Sequence, residues 1–199
     1  MNKNRKWLIL GGLLVTSIAL TSFIIIRKSR KKSGKSRSKE VDLNKNYVIG
    51  DSQTPFIDSN SMKVSRIDTS SGQNSLWKGG VNLKWLKESV NAYPVSPSVN
   101  SIVINIGTNG GFNPNDDIEG LVNAIKTKFP NAKLFVVKGS WGWGGNVNVT
   151  ESKVNSYYDK FSNLGVEVIK TPIGKVNDPH SNLPVYAQIG SEIDSKLNG

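Results

Sequence analysis

The chain has no cysteine and one histidine, His180, among its 199 residues. No disulfide can brace it, and a structural zinc site of imidazole and thiolate ligands cannot be assembled from a single nitrogen donor. No internal repeat is visible, and no metal-ligand cluster is expected. Acids are nearly missing from the first forty residues, where eleven Lys or Arg face only Glu40. In the remainder fifteen Lys or Arg meet fourteen acids, so the formal net charge of +11 belongs almost wholly to the N-terminal segment. The rest of the chain is close to neutral, and its partners need not be polyanions.

One long stretch also lacks charge. Trp7 to Ile26 contains no ionisable side chain, and at about 1.5 Å per residue it would form a helix of roughly 30 Å, the hydrocarbon thickness of a bilayer. It reads as a single membrane span following a basic N-terminus, residues 1–6. A secretory signal peptide is the rival reading, but the run is long for a signal core and a dense basic stretch follows it. Residues 27–43 begin as RKSRKKSGKSRSK, too polar to bury a core, and read as a solvated linker. Residues 27–39 could attract anionic lipid or nucleic acid; a stop-transfer flank and tether is the simpler reading. Eight positive residues after the span against three before it would keep the C-terminal side in the cytoplasm. A substrate outside the cell would require the opposite orientation, and the single span is compatible with either side of the membrane.

From residue 44 to 199 apolar strands alternate with amphipathic helices, the pattern of a parallel sheet covered on both faces. Strands are expected at Tyr47–Ile49, Lys63–Ile67, Ser101–Ile106, Leu134–Val137 and Val166–Ile169. Helical spacing joins Leu83, Leu86 and Val90, then Ile118, Leu121, Val122, Ile125 and Phe129, then Val154, Tyr157, Tyr158, Phe161 and Leu164, then Tyr186, Ile189, Ile193 and Leu197. Asn115 is the expected cap of the second of these helices, with Asp116 and Asp117 in its first turn. Pro130 would stop that helix and Gly165 the next. Five strands with intervening helices imply a three-layer α/β/α sandwich with a flavodoxin-like parallel sheet, whose ligands bind at the carboxyl ends of the strands.

Three motifs fall at such ends. The first strand runs into Gly50-Asp51-Ser52, where the glycine permits a sharp turn that would lift Ser52 from the sheet edge. The third ends in Gly107-Thr108-Asn109. The last follows the fifth strand as Asn177-Asp178-Pro179-His180. A serine hydroxyl needs a base within reach and donors for the developing oxyanion, and these motifs offer both.

Together they resemble the SGNH (GDSL-type) hydrolases, a family of esterases and lipases, over roughly Asn46 to Leu197. The resemblance implies Ser52 as nucleophile and His180 as base. It implies an oxyanion hole from the backbone amides of Ser52 and Gly72 and the side-chain amide of Asn109, although Gly79 and Gly80 could stand in for Gly72. The family spacing Asp-x-x-His would put Asn177 in the acid's place; Asp178 lies two residues before His180 and is the alternative for orienting the ring. No cofactor or metal is implied. Trp141 and Trp143, in a glycine-rich loop after the fourth strand, could stack on sugar rings or pack as local core. The expected activity is removal of acyl groups, such as acetyl, from a glycan or small ester. The alternatives are a binding module of the same fold without turnover, or a membrane-anchored structural protein.

Overall fold

Every residue of Ser101–Asn105 is buried, and this strand occupies the centre of the sheet. A computed structural model describes residues 45–68, 75–142, 146–171, 180 and 183–198. In chain order these form β1 (Asn46–Gly50), α1 (Thr54–Asn60), β2 (Ser65–Arg66), α2 (Leu83–Ala92), β3 (Ser101–Asn105), α3 (Ile118–Lys128), β4 (Lys133–Val137), α4 (Glu151–Asn163), β5 (Glu167–Ile169) and α5 (Leu183–Lys196). The five strands are parallel in the order β2-β1-β3-β4-β5, the flavodoxin-like arrangement. Val48 lies beside Val103, Val103 beside Phe135, and Val136 beside Val168.

Alternation along the strands builds two cores. Ile49, Ile102, Ile104, Leu134 and Val136 face one side with the apolar stripes of α2, α3 and α4. Val48, Val103, Phe135, Val137 and Ile169 face the other with Ile57 of α1 and Tyr186, Ile189 and Ile193 of α5. Period-two side-chain direction in a sheet buried on both faces explains why these strands read as continuous apolar runs. The α/β sandwich expected from the sequence is therefore present.

Local details differ. The seven-residue α1 has no counterpart among the expected elements; it starts at Thr54-Pro55 and is too short to show a helical period. The expected Lys63–Ile67 strand is reduced to Ser65–Arg66. Asn115 does not cap α3. Asp117 does, its carboxylate accepting from the Gly120 amide at 2.9 Å, so the acids precede the helix and Glu119 holds the first turn. Thr150 caps α4, and Gly165, with φ +79°, follows its end. Among the described residues no helix is long and apolar enough to cross a membrane; the expected span 7–26, the linker 27–43, Gly72, Trp143, Asn177 and Asp178 lie outside them.

Candidate active site

Gly50 closes β1 with φ +145°, and a Cβ there would lie 1.7 Å from the Asn105 carbonyl oxygen. Only glycine lets β1 and β3 approach this closely while the chain turns outward. Backbone bonds then fix the turn: the Asp51 amide donates to Asn105 O at 3.0 Å, the Gly50 amide to Leu76 O at 2.9 Å, and the Lys78 amide to Gly50 O at 3.1 Å. Ser52 follows, half-buried, at the carboxyl edge of the sheet.

His180 reaches this edge from beyond β5. Its Nε2 lies 2.8 Å from Ser52 Oγ. When the hydroxyl donates in this pair, Nε2 is the bare nitrogen and Nδ1 carries the ring hydrogen. The imidazole is braced by aromatic packing, with the Phe56 ring 5.8 Å away, centroid to centroid, and Phe56 in turn stacked on Tyr186 of α5 at 4.9 Å. Tyr186 is fully buried, and its hydroxyl donates to Gln53 Oε1 at 3.2 Å. Helices α1 and α5 thus hold the Ser52 loop and His180 together.

Asp51 is the less conspicuous member of the site. It is 1% exposed. Its Oδ1 accepts from the Gln53 amide and from Asn105 Nδ2, each at 3.0 Å, and its Oδ2 from Asn109 Nδ2 at 3.2 Å. Burial raises its carboxyl from the ordinary 3.8 to about 6, opposed by the Gln53 and Asn109 hydrogen bonds, the charge of His180 and the Asn105 bond. Asn109 is held just as fully: Nδ2 also donates to Val81 O, and Oδ1 accepts from the Gly111 amide at 2.8 Å. Both of its amide hydrogens are engaged, so donation to an oxyanion requires one of those bonds to open.

Ser52, Asn109 and His180 therefore share one edge, as their motifs implied. Gly79 also belongs there, since a Cβ built on it would lie 3.8 Å from Ser52 Cβ. Trp141 is half-buried and packs against the larger core, which favours the local-core alternative over a free stacking platform. Sequence reasoning missed the structural roles of Asp51 and Asn105. The available signal was a pair of polar residues at the ends of two otherwise apolar strands, where burial demands partners.

The chain matches no family model and no curated protein. It is similar in structure to a Streptococcus pneumoniae protein provisionally described as a platelet activating factor, with a TM-score of 0.52, 13% identity, and coverage of 92% of this chain and 99% of that one. It is also similar to a member of the lipolytic protein G-D-S-L family from Veillonella parvula, with a TM-score of 0.50, 13% identity, and coverage of 75% and 97%. With a parallel sheet ordered β2-β1-β3-β4-β5 and Gly50-Asp51-Ser52 closing its first strand, the chain has the fold of the SGNH (GDSL-type) hydrolases.

Proposed function

We propose that this protein is a serine esterase that removes acyl groups, such as acetyl, from a glycan or small ester. The observation that carries the reading is the 2.8 Å contact between Ser52 Oγ and His180 Nε2 at the carboxyl edge of the sheet. Ser52 attacks the ester carbonyl carbon while His180 takes the hydroxyl proton. The tetrahedral intermediate then expels the alcohol, which receives that proton. Water attacks the acyl-serine, His180 takes a proton from it, and the carboxylic acid leaves as the proton returns to Oγ. The backbone amide of Ser52, the Asn109 side chain and a second-block glycine are the proposed oxyanion donors; the proximity of Gly79 to Ser52 favours it over Gly72. Asp178 or Asn177 orients the ring. Residues 7–26 anchor the protein in a membrane and residues 27–43 tether the domain to it.

A second reading, the same fold as a binding module without turnover, is favoured by the engagement of both Asn109 amide hydrogens. Hydrolysis of p-nitrophenyl acetate by the full chain separates the two. Wild type should turn over and label with a fluorophosphonate, while Ser52→Ala and His180→Ala, checked for folding by circular dichroism, should fall by at least about a thousandfold. A folded wild type no faster than Ser52→Ala, and unlabelled, would leave the binding module as the surviving reading.

A further inference from the structure

Near Ser52, a groove of about 600 Å³ lies between Asp68, residues 75–79 and the first turns of α2. Trp77 and Trp85 form its aromatic walls; Asp68, Ser75, Lys78 and Ser89 supply polar groups. Its size falls in the range of ordinary ligand sites, roughly 300–1,000 Å³. Gly79 lines the groove, and a Cβ built on it would lie 3.8 Å from Ser52 Cβ, so the groove borders the proposed reaction centre.

Trp77 is fixed before any ligand arrives. Its backbone pairs with Gly50, two residues before Ser52. Its indole Nε1 donates to Asp68 Oδ1, while Asp68 Oδ2 accepts from Arg66 Nε at 2.7 Å. The Arg66 guanidinium lies 5.2 Å from the centroid of the Trp77 ring and also pairs with Asp58 at 3.3 Å. With its edge hydrogen-bonded and a cation over the ring, Trp77 has little rotamer freedom left to lose on binding. Trp85 is placed by the Asn82 cap, whose Oδ1 accepts from the Trp85 amide at 3.1 Å, and it packs in part on the core.

We propose that this groove is a sugar subsite, holding a pyranose ring of the glycan that carries the ester; the proposal rests on the esterase reading of Ser52. A pyranose has a C–H face that suits an electron-rich indole, and a rim of hydroxyls that needs donors and acceptors. Lys78, Ser89 and the remaining lone pairs of Asp68 provide that rim, while the Ser75 hydroxyl is bonded to the Ile67 and Trp77 backbone. A fatty acyl chain in the same place would strip water from the carboxylate and the ammonium without replacing their hydrogen bonds. The groove therefore selects the carbohydrate portion of the substrate.

The test compares acetylated xylohexaose and acetylated chitohexaose with p-nitrophenyl acetate, using the full chain. Trp77→Ala and Trp85→Ala should raise KM for an acetylated oligosaccharide by about tenfold or more, close to 1.4 kcal/mol, and leave p-nitrophenyl acetate turnover within about threefold. Ser89→Tyr, which fills the groove and keeps both tryptophans, should act the same way and guards against misfolding of the alanine variants. Equal losses on both kinds of substrate, no loss on either, or a wild type that hydrolyses p-nitrophenyl acetate but neither oligosaccharide would overturn the subsite. Failure of the esterase reading looks different, because wild type is then unlabelled by fluorophosphonate. In that case quenching of tryptophan fluorescence by the same oligosaccharides, abolished by Ser89→Tyr, would still support the groove; its absence would end both.

Discussion

Replacing Asp51 with asparagine should change how stability depends on pH, and the size of the change follows from burial. The carboxyl titrates near 6 in the folded chain against an ordinary 3.8. Because the folded pKa is raised, the folded state holds the proton more tightly than the unfolded one. Stability from this group is therefore gained as pH falls through about 6, and it saturates below about 4. Integrated from about pH 7.5 to about pH 4.5, the gain is about 2 kcal/mol. The asparagine variant would carry no such term, although an NH₂ in place of Oδ2, facing the Asn109 amide, would add a constant penalty of roughly 1–3 kcal/mol. Glu167 and Asp117, held low by Lys196 and Lys87, lose stability on acidification in both proteins and cancel in the comparison. Thermal unfolding of the full chain, followed by near-ultraviolet circular dichroism, reads the difference. The gap between wild type and Asp51→Asn should widen by roughly 4–8 °C across that interval, at about 2–4 °C per kcal/mol for a domain of this size. Parallel pH profiles would refute the assignment of a raised, buried carboxyl.

Other expectations concern packing around the site. The Tyr158 hydroxyl donates to Ile106 O at 3.0 Å in a fully buried setting, so Tyr158→Phe should cost about 1–3 kcal/mol in chemical denaturation. The neighbouring Tyr157 hydroxyl is buried with no hydrogen-bond partner among the described residues; Tyr157→Phe should be neutral or stabilising by up to about 1 kcal/mol, and an equal loss from both variants would contradict this. A Cβ on Gly190 would lie 2.1 Å from Asn60 O, so Gly190→Ala should push α5 off α1 at a cost of about 1–3 kcal/mol. Since α5 carries Tyr186, the same variant should lower p-nitrophenyl acetate turnover beyond the loss of folded protein, as read at equal folded concentration.

The sheet was legible because β1, β3 and β4 are buried on both faces and leave little choice of side chain. The amphipathic helices showed their buried stripes at Leu83-Leu86-Val90 and Val154-Tyr157-Tyr158-Phe161 for the same reason. Helix α1 was hidden because seven residues holding Pro55, Asp58, Ser59 and Asn60 display neither period nor apolar excess. The α3 cap was displaced because Asn115, Asp116 and Asp117 are all competent caps, and the partner of Asp117, Lys87 at 2.7 Å, lies thirty residues away in sequence. At the site, Ser52 and His180 could be picked out by chemistry, as a hydroxyl and the sole imidazole. The tryptophans of the groove could not, since Trp77 and Trp85 become neighbours only when the segment after β2 folds back along β1. Trp141 drew attention through its glycines, yet its indole is partly committed to the core.

The contact between Ser52 and His180 spans 128 positions of sequence. Ser52 follows β1 and His180 follows β5, and β3 and β4 lie between those two strands in the sheet. A ribosome-bound chain that has completed only β1 through β4 therefore has Ser52 without its His180 contact. On the esterase reading, Ser52 gains its base only once α5 has docked on α1 and Phe56 packs between Tyr186 and His180, and covalent labelling of Ser52 would then report completed folding in the cell.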